Sequence, residues 1–302
     1  MLMDYTTEPQ PRRSQPEGVQ VAGLMDFLEL ATRLGRKFAP EAIDEMRTYA
    51  KSDPLGFYKE NSIFVDPRGD LTLNSGPTYA GRPIPKRDSE ERLRKSSAQA
   101  VNLATYLNDT EIGNLLRPEF DQINVGRAPA SGNYAASFTP PTANERGLLM
   151  INENMPKDQI PQLFEHELQH AIQFAQNKPQ GANPDMLADD FMDYMVAERG
   201  LDPTAAQKLD TLARQYGINP QELRYYAARG EGEARAAEGV ANQVFSTGKQ
   251  MTAPPPTRLY TTLPRHMPLT GFDKSMLYDI PQNAYDDFLE YRRQKLTGMG
   301  NQ

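Results

Sequence analysis

Apolar positions set out a succession of elements along the chain. Leu24, Phe27, Leu28, Ala31 and Leu34 recur at helical spacing within 21–34, and a second helix is predicted from Pro40 to Lys51, with proline in its first turn. Two β-rich runs flank Asp66-Pro-Arg-Gly-Asp70, which predicts a hairpin over 62–73. The Gly/Pro-rich passage 75–87 then marks an internal boundary. A helix is predicted from Asp88, where "DSEE" puts Glu91 at the capping-box position, and its apolar positions run through Leu93, Ala100, Val101 and Leu103. Three short strands follow, "QINV" (122–125), "YAASF" (134–138) and "GLLMIN" (147–152), the last two joined by "TPPTANER" as a hairpin.

Beyond the strands the pattern becomes helical. One helix is predicted from an Asp158 cap to Gln176, with Pro161 at its third position, and others at 184–196, 203–216, 220–246 and 283–296. The helix at 220 carries Asn219 as N-cap, Pro220 at the first position and Glu222 at the capping-box position. Between the last two, the prolines of 252–268 favour extended chain. The expectation is an α+β fold, mostly helical, with a small sheet ahead of the helix at 158–176. Its sections are a polar arm at 1–19 predicted to be disordered, a helical and hairpin section at 20–87, a main domain at 88–250, and a Pro-rich tail with a terminal helix at 251–302.

Composition narrows the function classes. The 302 residues carry a net charge of −7, which supplies no basic field for a phosphate backbone and disfavours nucleic acid as a partner. The basic run at 86–95 is interleaved with acids and reads as a solvated helix face. No apolar run is long enough to span a bilayer, and the N-terminus lacks the apolar core of a secretory signal. A cytoplasmic location without a membrane partner is therefore expected. Cysteine is absent, so a tight metal site has only imidazole and carboxylate to use.

Two of the chain's three histidines stand in "FEHELQHAIQ" (164–173). On a helix, Leu163, Phe164, Leu168, Ala171, Ile172 and Ala175 gather on one face, while His166, His170 and Gln173 lie on another. Spacing of four puts both imidazoles on one side, one turn apart, where their nitrogens can converge on one ion. Glu167 points alongside that ion, where the general base for an attacking water sits. Chance alone would place His-Glu-x-x-His in such a histidine-poor chain on the order of once in several hundred sequences.

A catalytic zinc usually takes three protein ligands and keeps one position open. Gln176 stands where a metzincin's third histidine would be, so the third ligand is a carboxylate on another helix or the distant His266. The best carboxylates lie in "RGEGEAR" (229–235). Glu231 and Glu233 are about 200° apart on a helix, so only one can face the ion. Glu231 is favoured and Glu233 is the alternative; an ordinary surface pair of Glu231 with Arg235 is the competing explanation. Gly230 and Gly232 weigh against a plain surface helix, because each weakens it unless something approaches the backbone closely.

With these residues in place the chain resembles the zincin-like metallopeptidase domains of the large polyvalent proteins of tailed phages and related mobile elements. The resemblance lies in a leader "L…YLND.EI..LLRPEFDQINV" at 103–125, a "GNY" segment at 132–134, a strand at 148–152, the His-Glu-x-x-His-Ala-Ile-Gln helix at 166–173 and a Gly-Glu-x-Glu-Ala-Arg segment at 230–235, in that order. It covers about residues 98–245. The family's glycine-rich continuation after Ala-Ile-Gln is echoed here only by "GANP" at 181–184.

The resemblance implies zinc held by His166, His170 and a downstream glutamate, a phage or prophage origin, and hydrolysis of a protein or peptide substrate with Glu167 as base. Tyr225, Tyr226 and His266 are weaker candidates for stabilising an oxyanion, and the strand at 148–152 is a candidate edge for pairing with substrate. The competing expectation is a virion structural or ejected protein that keeps the zincin-like scaffold without peptidase activity, its terminal segments clasping other virion proteins.

Overall fold

The computed structural model describes residues 83–96, 102–129, 134–235, 237–238 and 274–298, two short strands, and isolated helical positions at 45, 48, 49 and 52. The expected arm at 1–19, the helix at 21–34, the proline-rich stretch 252–268 and His266 lie outside the described residues. The short strands β1 (Ile63–Val65) and β2 (Leu71–Leu73) pair antiparallel, as the hairpin pattern predicts.

A three-stranded sheet forms the centre, in the order β3 (Ile123–Ala128), β5 (Gly147–Asn152), β4 (Ala136–Thr139). Strand β5 is central, parallel to β3 and antiparallel to β4. That place explains its unbroken apolar run: Leu149 and Ile151 face one side of the sheet, Leu148 and Met150 the other, and all four are buried. The expected hairpin of the second and third strands is present, and its connection is tied by Thr142, whose hydroxyl accepts from the backbone N–H groups of Asn144 and Glu145. The outer edge of β3 is covered by the preceding chain, where Arg127 N–H donates to Pro85 and Arg87 N–H to Arg127. Among the described residues, β4 is the sheet's other edge.

One face of the sheet carries helix α5 (Ile160–Ala175), whose Phe164, Leu168, Ala171 and Ile172 pack with Ile123, Val125, Leu149 and Ile151. Short helices α2 (Leu103–Tyr106), α3 (Glu111–Leu115) and α4 (Arg117–Phe120) complete this core. The opposite face takes α1 (Glu90–Arg94) through Leu93. A second core joins α6 (Asp189–Arg199), α7 (Pro203–Tyr216), α8 (Pro220–Ala227) and α10 (Ala284–Gly298), with Phe191 and Phe288 in edge-to-face contact at 5.3 Å. Arg224 joins three of these helices by pairing with Asp189 at 2.6 Å and Asp210 at 2.8 Å.

Several sequence expectations need correction, each for a tertiary reason. The helix predicted from Asp88 to Leu103 stops at Arg94 and is capped by Ser89. The buried Asn124 of β3 donates to the carbonyls of Leu93 and Ser96, which draws off the groups a longer helix would use. Asn102 then caps α2, accepting from Thr105 N–H. Helix α5 begins at Ile160 behind Gln159, not Asp158, so Pro161 is its second residue. The predicted 184–196 helix opens as a 3-10 turn, Pro184–Leu187, before α6.

The largest departure concerns the helix expected at 220–246. It ends at Ala227, because Ala228 turns extended and pairs with Tyr278: Tyr278 N–H donates to Ala227 and Arg229 N–H to Tyr278. A new helix, α9, starts at 229 and is described through 235 and at 237–238. The start of α9, one of the two elements that frame the site, is thus set by a long-range contact.

Phe164 is fully buried and meets Tyr106 at 5.4 Å between centroids. Phe164→Ala is expected to lower the unfolding free energy by about 3–5 kcal/mol, read as a lower urea midpoint at unchanged slope.

Candidate metal centre

His166 and His170 project from α5 on successive turns, their rings 5.0 Å apart and nearly perpendicular. Glu231, in the first turn of α9, reaches between them with a side chain only 2% exposed. Its Oε2 lies 3.5 Å from His166 Nε2 and its Oε1 lies 3.4 Å from His170 Nε2. Two tetrahedral ligands, each about 2.0–2.1 Å from a zinc ion, are separated by about 3.3–3.4 Å. Each imidazole nitrogen is close to that distance from one carboxylate oxygen, the two nitrogens facing different oxygens, and one ligand atom from each of the three side chains lies within 4.8 Å of the others. Glu231 Oε2 is also a buried oxygen with no hydrogen-bond partner, an arrangement that costs free energy unless a cation or proton meets it. These three side chains can hold a metal ion.

Neighbouring groups aim the ligands. His166 Nδ1 pairs with Glu238 at 3.2 Å, which turns Nε2 inward, and His170 Nδ1 pairs with Gln173 at 2.9 Å. Ala182 N–H donates to Glu231 Oε1 at 2.9 Å. Arg235 lies with its guanidinium 4.4 Å from the Tyr226 ring centroid and 3.9 Å from Glu231 Oε2. The expected Glu231–Arg235 pair therefore exists as a buried support of the site. Glu233 points away from the cluster and accepts from Gln173 Nε2 at 2.8 Å.

Electrostatics follow from this enclosure. Burial works against charge on His166, but the carboxylates of Glu231 and Glu238 outweigh it and raise the imidazole pKa to about 10. Burial lowers the pKa of His170. Burial also opposes ionisation of Glu231, yet His170, His166 and Arg235 together hold it down at about 2. The site thus gathers an ionised carboxylate and a proton on His166, and a cation at the same place would take over that proton's role. Glu167, buried beside the cluster, is pushed up to about 7, by burial first and then by Glu231 and Glu238, while His166 and the Phe138 N–H pull the other way. Burial, followed by Glu231, keeps the Tyr225 hydroxyl protonated.

A cavity of about 560 Å³ opens onto these groups. Its walls include Phe138 and Thr139 of β4, Phe174 of α5, and Met186, with Tyr225 beside the cluster. Tyr226 is not on the wall; it stacks against Arg235. Strand 148–152, expected to be an open edge, is the paired centre of the sheet, because β4 folds back beside it. Among the described residues the open edge is β4. Register alternation turns the backbone groups of Ala136 and Phe138 away from β5, and Phe138 N–H reaches Glu167.

Sequence reading missed Glu238 and the 180–182 segment. Glu231, Arg235 and Glu238 stand at i, i+4 and i+7, so a helical stripe was there to be read once α9 had its own start. No such signal marks Gly181 and Ala182, which reach the site by a loop. Compared with family models, curated proteins and solved structures, the chain finds no match. Among the described residues, no helix is long and apolar enough to cross a membrane.

Two glycines separate metal binding from folding. A Cβ at Gly181 would come within 2.4 Å of Glu231 Oε1 and His170 Cε1, so the two side chains that could hold an ion would have to shift. Gly181→Ala is expected to keep the fold by circular dichroism while weakening zinc affinity about 10–100-fold in a competition titration. A Cβ at Gly230 would instead meet the backbone oxygen of Gln180 at 2.4 Å, so Gly230→Ala is expected to lower the thermal midpoint with or without metal.

Proposed function

We propose that the chain is a zinc-dependent peptidase of zincin-like type, with His166, His170 and Glu231 as ligands and Glu167 as general base. The observation that carries this reading is the convergence of two helical imidazole nitrogens and one buried carboxylate at tetrahedral spacing, with a second buried carboxylate alongside, facing a cavity. Two nitrogens and an oxygen with no thiolate suit zinc. The motif order that resembles zincin-like phage metallopeptidase domains supports the same reading and favours a protein substrate of phage or host origin.

Zinc bound there would supply Lewis acidity and a lowered pKa for water at the open position. Glu167 has the chemistry to take the attacking water's proton and hand it to the leaving amine, and Phe138 N–H fixes that carboxylate in place. Tyr225, kept protonated, can donate to the oxygen that becomes negative at the scissile carbonyl. The outward backbone groups of β4 can pair with an extended peptide, and Phe138, Phe174 and Met186 give its side chains an apolar wall. Water is kept from the far side of the ligands by α9 and the 180–182 segment.

Protein purified without chelator is expected to contain about one zinc per chain by elemental analysis, and His166→Ala/His170→Ala to contain none. Casein cleavage by the wild type should fall by about 10²–10⁴-fold in Glu167→Gln while zinc content is unchanged. Wild-type protein that takes up no stoichiometric metal even when zinc is supplied would refute the reading.

A further inference from the structure

We propose that Gln173, held by Gly230 and Glu233, is a positioning residue that fixes His170 as its Nδ1–H tautomer and so presents the Nε2 lone pair to the metal. The proposal rests on the metal-site reading above, and it assigns a role to a side chain outside the ligand set and its general base.

The argument is one of hydrogen-bond accounting inside a closed space. Gln173 is fully buried, so its amide has no water to turn to. Its Nε2 donates to Gly230 O at 2.9 Å and to Glu233 Oε2 at 2.8 Å. A backbone carbonyl can only accept, so turning the amide over would set two oxygens against each other at Gly230. The amide therefore has one orientation, with Oε1 toward His170 Nδ1 at 2.9 Å. An oxygen there requires a hydrogen on Nδ1. In a neutral ring that leaves the lone pair on Nε2, the atom 3.4 Å from Glu231 Oε1.

Both acceptors that lock Gln173 belong to α9, the segment that also carries Glu231. The amide thus ties the tautomer of a ligand on α5 to the placement of the ligand on α9. Glu233, two residues beyond Glu231, serves the centre from behind rather than by binding it. His166 is arranged differently, since its Nδ1 faces the partly exposed carboxylate of Glu238.

Ring-nitrogen NMR of isotope-labelled, zinc-free protein, at a pH where His170 is neutral, reads the tautomer directly. A protonated Nδ1 and bare Nε2 at His170 are expected; the reverse assignment would overturn the proposal whatever the mutants do. Gln173→Met keeps volume and loses the acceptor, and should mix the two tautomers and weaken zinc affinity about 10–100-fold. Unchanged tautomer and affinity in a folded Gln173→Met protein would also overturn it. Should that variant fail to fold, the ring-nitrogen assignment of the wild-type protein decides by itself, and a protonated Nε2 with a bare Nδ1 at His170 overturns the proposal. Wild-type protein that shows the Nδ1–H form but binds no zinc would refute the metal reading alone.

Discussion

A carboxylate placed almost wholly out of water has to be met by positive charge or donors, and Glu231 imposes that constraint on everything around it. Its compensation is built from separate parts of the chain: two imidazoles from α5, the Arg235 guanidinium one turn along α9, and the Ala182 N–H from a loop. Each of these groups is itself buried or half-buried, so none could stand there without the others. Buried charge and hydrogen bonds together join the sheet-bound helix to the second core, since beside the Glu231 cluster Gln180 N–H donates to Ile280 and Gln282 Nε2 donates to Lys178.

The rest of the architecture delivers these groups. Helix α5 is buried along its apolar stripe by the sheet, and along Glu165, Gln169 and Gln173 by polar partners, so its histidines have one direction left, toward the cavity. The extended residue Ala228 stops α8 and restarts the helix at 229, which places Glu231 at the beginning of α9, where the helix dipole favours a negative charge. Tyr278, fifty residues downstream, makes that break by pairing with Ala228. The C-terminal residues 274–298 therefore act on the centre indirectly, through the backbone they hold.

The hairpin of β4 and β5 serves a second purpose. By folding β4 beside β5, it puts a strand that is an edge among the described residues next to Glu167, toward which the Phe138 N–H is turned. On the other side of the sheet residues 85–87 cover β3, so among the described residues the edge facing the cavity is the one left uncovered. One short connection thus determines both the surroundings of Glu167 and the position of that edge.

The sequence by itself determined the local features: the pair His166 and His170 on one helical face, Glu167 beside them, strands β3, β4 and β5 within a few residues, and helix α7 at 203–216. These depend on spacing and on neighbours close in the chain, which a period of 3.6 or 2 records. It also reduced the candidates for a third metal-binding side chain to Glu231, Glu233 or His266, and of two glutamates two apart on a helix only one can face the histidines. Choosing Glu231 over Glu233 depended on the start of α9, and that start depends on a backbone pairing with Tyr278 that no local pattern encodes. Gly181, Glu238 and the central place of β5 were likewise decided only by tertiary structure, for the same reason: each is fixed by what a distant segment brings against it, and spacing along a chain carries no record of that distance.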